Sequence, residues 1–152
     1  MTNHSRPTRS EGVRSVKMPE RPREVQIALG LLVASLATGV LRAFSVRAIP
    51  APGLPAWFAP VVLATTFCII ALLILGIAFG RFWVVIIFAV GFALGLPGGL
   101  MVLETHGFGS SAFLLFSLQA CAQGAALVLL FRPAGRAWFR AVRAARAASE
   151  LA

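Results

Sequence analysis

Residues 81–103 read RFWVVIIFAVGFALGLPGGLMVL, with no ionised residue after Arg81 and a glycine at every fourth position, Gly91, Gly95 and Gly99. A helix turns once in about 3.6 residues, so these glycines form a stripe on one helical face. Lipid supplies no hydrophobic drive between helices, and close approach over small residues is what lets them associate. The stretch is expected to be a membrane-spanning helix with a packing face. That face has two readings: it packs inside its own bundle, or it seats a second copy or a larger membrane protein.

The apolar run extends back to Trp57, broken only by Gly80-Arg81. As one helix, residues 57–103 would reach about 70 Å, more than twice the ~30 Å hydrocarbon core. The chain must fold back at Gly80-Arg81, which makes a tight helical hairpin. Trp57 and Trp83 then stand where amphipathic rings settle, at membrane interfaces.

The same length argument places four spans, at about 24–46, 57–79, 82–101 and 110–131. Between the first two, Pro50, Pro52, Gly53 and Pro55 are loop chemistry. Pro97-Gly98-Gly99 should kink or end the third span, with a short loop at 104–109. The first apolar run is longer than the roughly 7–15 residues of a signal-peptide core and is read as a retained helix. Apolar residues make up 59% of the chain and charged residues 12%, against about 45–50% and 25% in soluble domains. The expected fold is an all-α membrane protein, a four-transmembrane-helix bundle over 24–131.

The net charge of +9 sits mainly in the tails. Residues 1–23 are polar and basic and cannot build a core, so disorder is expected. In 132–152, Arg136, Arg140, Arg143 and Arg146 fall on one helical arc, and Trp138, Val142 and Ala145 on the other, with Phe139 towards its edge. That pattern predicts a short amphipathic helix lying in the membrane surface, with Arg136, Trp138, Arg140 and Arg143 against the lipid. Four spans put both tails and Arg81 on one side, together with twelve of the 14 basic residues; only Arg42 and Arg47 lie opposite. By the positive-inside rule both termini are expected in the cytoplasm.

Few polar groups enter the spans. Ser35 and Gly39 have small-xxx-small spacing suited to helix packing. Gln119 and Gln123, four residues apart, share a face that should point into the bundle, as hydrogen-bonding glue or as a substrate- or water-lined site. Arg42 lies about one turn inside its span end. It is expected to extend to the headgroups, the alternative being a functional intramembrane charge. Cys68 and Cys121 fall within apolar runs, which predicts buried thiols and no disulfide framework.

The five acids, Glu11, Glu20, Glu24, Glu104 and Glu150, all lie outside the apolar runs. A proton-coupled exporter would need an intramembrane carboxylate to titrate. Glu104 and His106 share a short glycine-rich loop, with no third group to orient them for catalysis. No catalytic residue, metal site or cofactor is expected. Anionic lipid lies closer to the basic tails than nucleic acid does, so membrane lipids are the expected partners.

Arg21-Pro22-Arg23-Glu24-Val25 enters the first span, and Ser35-Leu36 lies within it. Gly80-Arg81 with Trp83 makes the central turn, and Leu129-Leu130-Phe131-Arg132-Pro133 precedes Trp138-Phe139-Arg140. Over about residues 21–140 this pattern resembles a family of small four-span bacterial inner-membrane proteins with no assigned activity. In similar proteins the central turn often reads Gly-Arg-Asn-Trp-Ala-Arg; Phe82 and Val84-Val85 depart from it here. The resemblance implies an inner-membrane location and no chemistry. The expected role is a non-enzymatic structural, regulatory or accessory subunit; the alternative is a small-molecule transporter or channel working as an oligomer.

Overall fold

A computed structural model describes residues 19–45, 55 and 57–150. The N-terminal tail over 1–18, the 46–54 stretch with Arg47, residue 56 and residues 151–152 lie outside it. The described chain forms five helices: α1 Arg23–Ser45, α2 Phe58–Ala78, α3 Phe82–His106, α4 Ser111–Phe131 and α5 Pro133–Glu150. No strand occurs among the described residues. The first four helices are each long and apolar enough to cross a bilayer, and the protein is a multi-pass membrane protein. The four spans close a ring, α1 on α4, α4 on α3, α3 on α2 and α2 on α1, with α1–α4 the most extensive pair.

Each boundary has a local cause. Pro22 accepts the first backbone bonds of α1, from Val25 and Gln26. At the central turn Gly80 has φ +74°. The Arg81 N–H donates to Gly76 O and the Gly80 N–H to Ile77 O, the paired bonds of a Schellman cap, which a glycine at this position permits. Two further carbonyls at this helix end accept from arginines: Ala78 O from Arg21 at 3.1 Å, and Phe79 O from Arg146. Both cations sit at the negative end of the α2 dipole. Ser110 caps α4 by accepting from the Phe113 N–H at 3.2 Å. Arg132 is extended, as a residue before proline prefers, and Pro133 opens α5 at its first position.

Two expectations about α3 are refined. The stretch apolar enough to cross the membrane, Phe82–Gly99, falls within the expected span, but the helix does not end at Pro97 and runs on to His106, through the start of the expected 104–109 loop. Outside a helix the backbone groups would have no water to bond in lipid, so losing one bond at proline costs less than unwinding a turn. The loop therefore starts at Gly107, at φ +77°.

The core is uneven. A continuous cluster joins Val25, Ala28 and Leu32 of α1 to Ile74 and Ile77, to Val84, Val85 and Phe88, and to Ala126, Leu127 and Leu130. All of it lies toward the end that carries the α2–α3 turn. At the other end α1 and α4 stay in contact around Gly39, which Phe67 of α2 also approaches, and α3 meets α4 at Gly99, buried under Phe116. Every residue of α2 from Phe58 to Thr66 is exposed, and so is every residue of α3 from Ala93 to Gly98. These stretches bury none of their residues. The bundle has a packed end and an open end.

The helix α5 completes the packed end. Trp138, Phe139 and Val142 are 6%, 3% and 5% exposed. Phe139 meets Phe82 edge-on at 5.4 Å, and Val142 lies over Gly80, where an added Cβ would come within 2.8 Å of it. This corrects the membrane-surface expectation: the apolar arc, Trp138 included, is covered by protein. Arg136, Arg140 and Arg143 do remain exposed. Cys68 and Cys121 are also corrected; both thiols are free and on the outside of the bundle.

Candidate functional site

The ring of spans leaves a cleft of about 380 Å³ between its helices, lined from all four. α1 contributes Arg42, α2 Thr66, Ile69, Ile70 and Leu73, and α3 Phe88, Gly91, Phe92, Gly95 and Leu96; α4 adds Phe116, Gln119, Ala120 and Gln123. It exists because the packed core ends near Leu32, Ile74 and Phe88 while the open halves diverge.

Arg42 sits in the last turn of α1, where a cation is favoured by the helix dipole. Its side chain turns inward, against the expectation that it extends to the headgroups. The guanidinium carbon stands 5.6 Å from the Phe116 ring centroid, within cation–π range. One of its terminal nitrogens, Nη1, is buried without a hydrogen-bond partner. Among the described residues no acidic side chain lines the cleft, so the Arg42 guanidinium has no ionic partner there.

The two glutamines divide the roles expected of them. Gln123 donates to Ser35 Oγ across the α1–α4 seam at 3.5 Å, the long end for a hydrogen bond. Ser35 in turn donates to Leu32 O at 2.9 Å and is buried. Gln123 is inter-helix glue that also reaches the cleft. Gln119 packs over Gly39, where an added Cβ would lie 3.2 Å from Nε2, and its Oε1 is buried without a partner. An orphaned buried acceptor costs about 1–3 kcal/mol. Arg42 and Gln119, each with one buried unpaired atom, thus line one cavity.

The glycine stripe does not act as a unit. An added Cβ at Gly99 would overlap the Phe116 ring, whereas Gly91 and Gly95 have nothing within 4 Å. The latter two line the cleft and are exposed, so the in-bundle packing expected of them is absent. Phe116 went unremarked in the sequence, where one phenylalanine of twelve carries no mark. The close approaches at Gly76, under Val84, and Gly135, over Leu130 O, also had no periodic signal.

A second groove, of about 350 Å³, lies on the packed end between Phe82, Arg136, Phe139, Arg140 and Arg143. Among the described residues no group of three or more His, Cys, Asp or Glu could hold a metal ion. No protein-family model matches the chain, and no curated protein or solved structure is similar to it.

Proposed function

We propose that the protein is a non-enzymatic accessory or regulatory protein of the bacterial inner membrane, with both termini in the cytoplasm, that works by binding within the bilayer. The observation that carries this reading is the four-walled cleft lined by Arg42, Gln119 and Gln123 among apolar residues. Among the described residues that line it there is no nucleophile beside a base and no carboxylate. The distribution of Lys and Arg and the resemblance to four-span inner-membrane proteins support the location. The exposed arginines of α5 suit the anionic lipid of the inner leaflet.

The test is purification from native membranes in a mild uncharged detergent, followed by mass spectrometry of retained lipids, small molecules and proteins. A species retained in fixed ratio to the chain supports the reading; an empty, monomeric chain counts against it. A second reading, assembly with itself or with a larger membrane protein, is favoured by the exposed outer halves of α2 and α3. A cysteine at Leu94, 76% exposed, would then cross-link to a neighbour in intact membranes.

A further inference from the structure

We infer that the intramembrane cleft is a binding site for an anionic amphiphile, with Arg42 as the counter-ion of a carboxylate or phosphate headgroup and the apolar walls holding the chain. The inference rests on the binding reading above and specifies what is bound.

Three features of the site select that chemistry. The first is charge. Among the described residues Arg42 is the cation of the cleft and no acid lines it, and Nη1 is buried and unpaired. Burying a charge in a medium of low polarity is tolerated when an opposite charge hydrogen-bonds to it. Since no described residue offers one at this place, the anion comes from outside. The second is polarity along the cleft. Arg42, Gln119 and Gln123 supply polar groups, while the opposite walls, Leu73 and Phe92 among them, are apolar. A ligand that satisfies both parts has a charged head and a hydrocarbon body. Its head would accept from the guanidinium and from the Gln119 side-chain amide. The third is access. Gly95 carries no side chain over the mouth, has nothing within 4 Å and is exposed. Thr66 of α2 and Leu96 of α3 also line the cleft and are exposed, so an amphiphile can enter laterally from the bilayer. A volume of about 380 Å³ lies in the range of small-molecule pockets, about 300–1,000 Å³, and takes part of one chain rather than a whole diacyl lipid.

Both a free fatty acid and an anionic phospholipid carry this chemistry. The experiment titrates the full chain, in an uncharged detergent, with palmitate, phosphatidylglycerol, phosphatidylcholine and monoolein, followed by native mass spectrometry. Palmitate and phosphatidylglycerol should bind more tightly than the other two, and the tighter of them identifies the source. Arg42→Gln should weaken the anionic probes by about ten- to hundredfold, the change expected from losing a charge-assisted hydrogen bond, and leave monoolein unchanged. Gly95→Phe, placed where nothing stands within 4 Å, should block the mouth and weaken all probes without unfolding the chain; it decides the matter if Arg42→Gln does not fold. Equal binding of the anionic probes by wild type and Arg42→Gln overturns the inference. So does binding lost only in the combined Arg136→Gln, Arg140→Gln, Arg143→Gln variant, which would move the site to α5. Monoolein bound as tightly as palmitate leaves the binding reading and removes the anion; no probe bound removes both.

Discussion

Three glycines in similar sequence settings have different physical duties, and single substitutions separate them. Gly80 has a positive φ and lies 2.8 Å, from its would-be Cβ, to Val142 Cγ1. Gly80→Ala takes on left-handed backbone strain of about 1 kcal/mol and also displaces α5. Its melting temperature in detergent should fall. Gly95→Ala meets nothing and replaces a poor helix former in mid-helix, so it should melt unchanged or later, by up to about 1 kcal/mol. Gly99→Ile drives into Phe116 and should melt earlier than wild type. A stripe packed as one unit predicts the same sign at Gly95 and Gly99; opposite signs are the outcome this structure requires. Loss of stability in Gly95→Ala would restore the packed stripe.

Among the helices, α5 departs furthest from its expected setting. Its two arcs were plain in the sequence, but an amphipathic helix looks the same whether its apolar side meets lipid or protein. What decides between them is the neighbour: Phe82 at the turn, edge-on to both Phe131 and Phe139, and Gly80, bare beneath Val142. Phe139→Ala should therefore cost about 3–5 kcal/mol of stability, the range for a buried aromatic. A surface helix would lose lipid affinity and leave the melting temperature alone. Trp138→Phe should cost far less than Trp138→Ala, because its buried Nε1 has no partner to lose. The spans themselves were legible, since length and apolarity are local properties. So was the face that Ser35 and Gly39 share, where small residues and one hydroxyl coincide. The cleft was legible only in part. Arg42, Gln119 and Gln123 stood out as polar residues in apolar runs. That they converge with Phe116 depends on how far α2 and α3 diverge, which no single helix encodes. Pro97 misled for a related reason: its cost in water is not its cost in lipid.

The molecule as a whole is clamped at one end and unclamped at the other. The turn, α5 and the two arginines on the α2 carbonyls hold all five helices at the packed end. The proposed orientation puts that end in the cytoplasm, and reporter fusions at residue 20, in the 47–56 loop, at 106 and at the C-terminus should read in, out, out, in. A C-terminus on the outside would overturn the four-span topology. The asymmetry also predicts where the structure moves. Helices in lipid keep their internal bonds, so the low-cost motion is a swing of α2 and α3 about the turn that opens the approaches of Phe67 to Gly39 and of Phe116 to Gly99 at their outer halves. Spin labels on Val61 and Leu94, 51% and 76% exposed, should give a broad distance distribution. Labels on Phe79 and Trp83, exposed beside the turn, should give a narrow one. Palmitate or phosphatidylglycerol should narrow the outer distribution and leave the inner one unchanged, because a bound chain ties the outer halves to Arg42 and α4. Equal widths at the two ends without any amphiphile would mean that the open end is a fixed gap, and binding would then proceed without closure.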